Sequence, residues 1–352
     1  MSEKEKNVEL EVNHIEALAS KIEQLVTASR TRIASTINTT MVYTYYEIGR
    51  YIVEDEQGGK SRAKYGKSVL KGISKRLTER FGSGWSVENL TLMRKFFMIY
   101  SDSNVEIFDR NRNHRLRFLL PWTHYQILLR VENPAARQFY EIEALKQQWS
   151  KRRLQREIGS CLYERLALSR SKDEIMRLSK EGQTIEKPSD IIKDPIVLEF
   201  VGLKPNAFYT ETNLERALID KLQSFLLEMG KGFLFEARQK RFTFEERNFY
   251  VDLVLYNRLL QCYVLVDLKM EDLTHQDLGQ MQMYVNYYDR FIKQDFENPT
   301  IGILLCERKN DALVELTLPD NANIYAQQYA LYLPEKKILQ EKFKEWLVDA
   351  MR

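Results

Sequence analysis

Apolar residues recur at intervals of three and four through the first half of the chain. Ile15, Leu18, Ile22 and Leu25 form one series and Ile33, Ile37, Met41 and Tyr45 a second, each laying one apolar stripe along a helix. Both predict helices that face a core. A further helix is expected from Lys67 to Arg80; the Gly82-Ser83-Gly84 break follows, and Ser86 is placed as the N-cap of SVENLTLMRKFFMIY. Helix, glycine turn and helix make a helix-turn-helix candidate. Pro121 and Trp122 open another helix, Asn133-Pro134 punctuates it, ARQFYEIEALKQQ continues, and Ser150 caps SKRRLQREIGSCLYERL.

The pattern then changes. Residues 171–195 are polar, mixed in charge and hold two prolines, so the domain boundary is expected near 180–195. This divides the chain into a helical domain over 1–180, a linker over 181–195 and a second domain over 196–352. In the latter, Leu214, Leu218, Leu222 and Phe225 mark a helix that stops at Gly230. GFLFEARQKRF, NFYVDLVLYNR and QCYVLVDLKM are β-branched and aromatic with short connections, which predicts an antiparallel meander. A helix over 274–290 and the apolar run TIGILLCE follow, and the intervening helix makes the last strand a parallel neighbour. The expected class is α+β: an N-terminal all-α domain of helix-turn-helix or winged-helix character, then an α/β domain with a mixed central sheet.

Composition narrows the function classes. The 352 residues are 44% hydrophobic and 29% charged, which excludes a disordered chain and leaves ample length for a core. No run reaches the length of a membrane span and the first residues lack the apolar run of a signal peptide, so no membrane contact and a cytoplasmic location are expected. Cys161, Cys262 and Cys306 are widely spaced and form no zinc signature; they read as buried thiols. Net charge is only +3, yet residues 60–117 carry 14 Lys and Arg against 5 Asp and Glu. Arg94 and Lys95 belong to this basic region. Lys151, Arg152 and Arg153 form a basic first turn, unfavourable for a helix dipole but suited to nearby phosphates. These five are the candidate nucleic-acid contacts, weighed against an ordinary solvated surface.

The chemistry concentrates in the meander. Asp267 and Lys269 are two residues apart on one strand and share a face, while Asp252 approaches from the neighbouring strand. Two carboxylates beside an ammonium are costly in an apolar sheet unless a divalent cation or a reaction compensates. Oxygen-only ligands favour Mg2+ or Mn2+ over zinc, and such a cation polarises a phosphodiester and acidifies water while Lys269 orients that water or steadies developing charge. His275 is read as an exposed helix-start residue without a catalytic role, and Glu236 as a further carboxylate outside the pattern.

On these residues the sequence resembles the PD-(D/E)XK nuclease superfamily, and within it the YhcG-like family, which joins an N-terminal helical domain to a C-terminal nuclease domain. The resemblance covers nearly the whole chain. It rests on residues 120–166 in the N-terminal half and on KDPIVLEFVGL, LERALIDKLQSFLLEMG, FYVDLVLYN, VLVDLK and LGQMQMYVNYYD in the C-terminal half. It implies a restriction-endonuclease-like fold, with Asp252 and Asp267 as metal ligands, Lys269 as the catalytic lysine and Glu215 completing the metal site directly or through water. Gln280 and Tyr284 resemble the Q-x-x-x-Y element of the RecB-like branch, one helix face that holds the active site or a nucleic-acid strand in position. One departure stands at the first motif, where Val251 replaces the usual proline.

Three function classes follow: a metal-dependent DNA nuclease positioned by its N-terminal domain, a nucleic-acid-binding module without turnover, and a protein-interaction component of a defence or toxin-antitoxin system. Retention of Lys269 and both acids favours the first. Cutting both strands of a duplex with one site per chain would favour a homodimer.

Overall fold

The computed structural model describes residues 3–58, 63–101, 107–109, 114–116, 118–203, 210–244, 246–319, 322–333 and 335–349. The chain divides into two compact units, Met1–Glu132 and Asn133–Arg352.

Among its described residues the first unit is mainly helical, with two three-residue strands. It holds α1 (Glu3–Gly58), α2 (Ala63–Phe81), α3 (Val87–Tyr100), the antiparallel pair β1 (Ile107–Asp109) and β2 (His114–Leu116), and α4 (Trp122–Leu128). The two helices expected over Ile15–Tyr45 are one. The helix runs unbroken through residues 26–32, and within the second series Thr36, Thr40 and Thr44 each donate a hydroxyl to the carbonyl four residues back. Among the described side chains, the later part of α1 enters a core, where Gly49 lies against the Met93 carbonyl with no room for a Cβ. Ile22, Leu25, Ile33 and Ile37 are exposed, correcting the expectation that both stripes face a core of this chain. A stripe shows that a face is apolar, not which surface covers it. The side chains of Ile15 and Leu18 lie outside the described set. Between α2 and α3, Gly82 and Gly84 adopt φ of 81° and 106°, and Ser86 Oγ accepts the Asn89 N–H, as the turn chemistry predicts.

The second unit begins with α5 (Pro134–Lys146), α6 (Lys151–Gly159), α7 (Leu162–Ala167) and α8 (Lys172–Glu181). Ser150 caps α6, and the single helix expected from it breaks at Cys161, whose φ is 54°. After a 3-10 turn (Pro188–Ile191) come β3 (Ile196–Val197), α9 (Glu211–Asp220), α10 (Leu222–Met229), β4 (Phe233–Phe244), β5 (Arg247–Asn257) and β6 (Cys262–Asp272). The chain continues with α11 (His275–Phe291), β7 (Ile301–Arg308), α12 (Asp311–Thr317), β8 (Ile324–Ala330) and α13 (Lys336–Asp349). The six-stranded sheet runs β3-β8-β7-β6-β5-β4; β4, β5 and β6 form the expected antiparallel meander, and β6, β7, β8 and β3 are parallel neighbours. Alternation sends Val264, Val266 and Leu268 into the core beneath α9 and α10, while Leu265 packs under Leu278, Met281 and Tyr284 of α11.

The units divide at residue 132, whereas the sequence placed a linker at 181–195. That stretch is packed: Ile191 and Lys193 are buried, and the Gln327 amide donates to the Lys193 carbonyl at 2.9 Å. The reason is a buried charge cluster. Glu228 of α10 has no exposed surface and meets Arg165 of α7 at 2.6 Å, Arg156 of α6 at 3.0 Å and Lys193 at 3.8 Å. Burial by itself would raise the Glu228 pKa, but Arg165, Lys193 and Arg156 outweigh it and hold the carboxyl at about 2. The cationic helices thus belong to the sheet's unit although they read as part of the basic half. A fragment of residues 133–352 is expected to melt cooperatively by circular dichroism. A fragment of residues 181–352, lacking Arg156 and Arg165, is expected to be unfolded; equal stability of the two would contradict this division.

Candidate active site

β5 and β6 remain paired as far as Leu253 opposite Val266. One further step of that register would set Asp252 directly against Asp267, and the ladder stops before it, since like charges in such a pair repel. Asp252 Oδ2 instead accepts the Leu268 backbone N–H at 2.8 Å, satisfying a donor left by the parted strands. The two acids therefore stand at a fork in the sheet. Asp267 is buried, and Lys269 on the same strand face brings Nζ to 2.9 Å from Asp267 Oδ2 and 3.6 Å from Asp277 Oδ1. Asp277 is held in place by a capping box at the start of α11, its other oxygen accepting the Thr274 N–H at 2.9 Å.

Glu215 of α9 is buried and reaches the same end of the sheet through Gln239 of β4. The Gln239 amide donates to Glu215 Oε2 at 3.0 Å and to Asp252 Oδ1 at 2.8 Å, one NH2 bridging two carboxylates. The second Glu215 oxygen is buried without a hydrogen-bond partner, with the Arg238 guanidinium 3.7 Å away. Gln280 and Tyr284 bond to each other at 2.6 Å, and the Tyr284 hydroxyl donates to the Tyr250 carbonyl at 2.9 Å. This pair braces α11 against β5 two residues before Asp252. Burial, with the negative charge of Asp267, pushes the Tyr284 phenol up to about 12, so it remains a donor. Gln239, Asp277 and the Tyr250 carbonyl were not singled out from sequence; the Thr274-x-x-Asp277 capping spacing was the one legible signal among them.

Burial and the facing Asp252 raise Asp267 to about 7 despite the nearby ammonium. For Lys269 burial acts downward, but Asp267 and the further acids Glu211 and Asp277 outweigh it, so the pKa lies above the usual lysine value. Lys269 is accordingly a permanent cation and not a base. The donors Asp252, Asp267 and Glu215 are all oxygen and suit a hard divalent ion. The Glu215 oxygen without a hydrogen bond and the raised Asp267 both leave coordination capacity that a cation would use, beside the existing Arg238 and Lys269. Among the described residues no three His, Cys, Asp or Glu are drawn together as a closed ligand shell; the Gln239 amide bridges two of the candidate carboxylates instead.

Because Asp267 is raised, the folded metal-free protein loses stability as pH climbs from the ordinary aspartate range through about 7 and the buried carboxyl must ionise. Asp267→Asn removes that cost. It is expected to raise metal-free stability by roughly 1–3 kcal/mol at pH 8 and by less at pH 5. Chemical denaturation in a chelator at both pH values checks this; equal changes at the two would contradict it.

The basic candidates divide by role. Arg94 binds Glu56 at 2.6 Å, and Arg153 lies 3.5 Å from Glu157 and over the Trp149 ring. Lys95, Lys151 and Arg152 are exposed. Lys95 belongs to the first unit and the other two to the second. His275 is exposed at the start of α11, and the three cysteines are free and buried.

Residues 189–345 match the YhcG PDDEXK nuclease domain, and residues 21–165 match the DUF1016 N-terminal domain. The protein "Putative nuclease YhcG" of Escherichia coli (strain K12) is 37% identical over 343 residues, covering 90% of each chain. The chain belongs to the YhcG-like family of PDDEXK nucleases. The YhcG nuclease domain thus holds every strand of the sheet that carries Asp252, Asp267 and Lys269. The N-terminal family match extends across α5 and α6, past the division at residue 132, so family boundary and compact-unit boundary differ. A repair endonuclease from Pyrococcus abyssi shares 18% identity over 37% of this chain and 50% of its own, with a TM-score of 0.24. An EndoMS–dsDNA2 complex shares 13% over 38% of this chain and 51% of its own, with a TM-score of 0.25. At those scores the description of the fold rests on the strand order itself. No helix among the described residues is long and apolar enough to cross a membrane.

Proposed function

We propose that this chain hydrolyses phosphodiester bonds in DNA at the Asp252–Asp267 fork, with Mg2+ or Mn2+ as its cofactor. The observation that carries the reading is the pair of carboxylates meeting at an open register position, with Lys269 Nζ 2.9 Å from Asp267. Asp252, Asp267 and Glu215, the last directly or through water, would hold the cation. A divalent cation held by these oxygens adds positive charge at the phosphodiester and lowers the pKa of the attacking water. Lys269 Nζ donates to the phosphoryl oxygen or the water and steadies negative charge as it builds. Asp277 and Asp267 fix that ammonium between them, Gln239 fixes two of the carboxylates, and Gln280 with Tyr284 holds α11 against β5. Water oxygen bonds to phosphorus, the P–O ester bond breaks, and the proton released by water is balanced by the one taken up at the departing alkoxide.

Nucleic acid is held by the exposed cations Lys95, Lys151 and Arg152, and the N-terminal helices position it through their basic surface and the α2–turn–α3 element. Arg94 and Arg153 shape those surfaces through their internal pairs. A protein partner, whether a second copy or an accessory chain, is a second reading confined to α1, favoured by its exposed Ile22, Leu25, Ile33 and Ile37.

Incubation of the full chain with linear, supercoiled, branched and single-stranded DNA, with Mg2+ or Mn2+ against chelator, tests the reading. Cation-dependent cleavage of at least one form is expected; salt-sensitive retention without cleavage of any form would leave a binding protein instead.

A further inference from the structure

Between the β4–β5 hairpin and α11 lies a cavity of about 310 Å³, which falls at the lower end of small-ligand pockets. Its strand wall is Phe242 and Phe244, and its helix wall includes Tyr287 and Phe291. Phe242 stacks on Tyr287 with centroids 4.1 Å apart and planes 18° from parallel. Phe244 and Phe291 are 49% and 65% exposed, rings offered to solvent at the rim. Three polar side chains break this aromatic lining: Gln282, Asn286 and Arg290. The Gln282 amide nitrogen donates to Asn286 Oδ1 at 3.1 Å, while Gln282 Oε1 is buried with no hydrogen-bond partner. An orphaned acceptor in an aromatic cleft is costly until a donor reaches it. Exchanging the amide's two ends would leave an orphaned donor in the same place.

We propose that this cavity is a nucleobase pocket, taking one unstacked base of the nucleic-acid substrate. Flat rings receive a base of any identity. Whichever end of the Gln282 amide is left over, it and the neighbouring Asn286 amide offer hydrogen-bonding groups that the polar edge of a base can meet and an abasic chain cannot. The occupant is an anionic strand and not an apolar peptide because Arg290 stands in the lining and the exposed Lys240, two residues before Phe242, shares its strand face. The pocket is coupled to the catalytic end of α11 through one ring. Phe242 meets Tyr284 edge-on at 5.5 Å, and Tyr284 carries the hydrogen bonds to Gln280 and Tyr250. A base inside a duplex cannot enter such a pocket without unpairing, so the substrate is single-stranded or opened at the site.

The proposal rests on the nucleic-acid reading of the fork, and its test separates the two. Affinity of the full chain is measured in chelator for single strands of eight adenosines, of eight thymidines and of an abasic chain of equal charge. About tenfold tighter binding of the adenosine strand than of the abasic chain is expected, with thymidine between them. Phe291→Ala, at an exposed rim position, and Gln282→Leu are each expected to shrink the adenosine advantage to about twofold. Equal affinity for base-bearing and abasic chains, or an advantage unchanged in both variants, overturns the pocket. Cleavage of linear, supercoiled, branched and single-stranded DNA with Mn2+ by the same preparations reports on the fork separately. Cleavage without base dependence removes the pocket alone, and base dependence without cleavage supports the pocket and removes the reaction.

Discussion

Lys269→Ala is expected to lower DNA cleavage by about 10²–10³-fold, the usual loss when a preorganised electrostatic donor is removed, while DNA retention stays within about threefold because most phosphate contacts lie elsewhere. Single-turnover cleavage and salt-dependent retention measure the two effects separately. The substitution removes the ammonium that sits 2.9 Å from Asp267 and 3.6 Å from Asp277. The pH dependence follows from the same groups. The raised Lys269 keeps its charge through alkaline pH, so activity is not expected to fall towards pH 9. Asp267 ionises at about 7, so activity at limiting cation is expected to rise as pH passes upward through that value and the carboxylate becomes available. A Lys269→Ala protein that cleaves within threefold of the parent would remove the lysine from the mechanism.

Glu228→Ala has the largest expected effect on stability. It strips the carboxylate from Arg165, which has no exposed surface, and from buried Lys193, leaving two cations in a dry interior. Breaking such a cluster from one side costs about 3–5 kcal/mol, or about 10 °C in the melting temperature of a unit this size. Calorimetry of the full chain checks it. A shift under about 3 °C would mean that water reaches the cluster and that the 181–195 segment is less firmly packed than its burial indicates.

The meander and its acids were legible because strand alternation has a period of two, which puts Asp267 and Lys269 on one face whatever surrounds them. An aspartate inside YVDLVLY stands out for the same reason. Cap chemistry was legible too, as at Ser86 and Ser150, because the signal is local. Gln239 was not, since its role depends on the register that sets β4 beside β5 and on one amide reaching carboxylates of two separate elements, α9 and β5. The 132 division was hidden for a related reason: Lys193 falls in a stretch that reads as polar linker, and only the buried Glu228 makes it interior together with Arg156 and Arg165. β8 was missed because NIYAQQYA places a buried glutamine, Gln327, within a strand, and its partner amide contact to Lys193 lies 134 residues away in sequence.

Cleavage of supercoiled and single-stranded DNA in Mn2+, compared between the parent chain and Asp267→Ala at matched DNA occupancy, bears most directly on the fork as the hydrolytic site. Strand scission by the parent that disappears in the variant is the expected result. Scission that persists in Asp267→Ala would place the chemistry outside the Asp252–Asp267 fork.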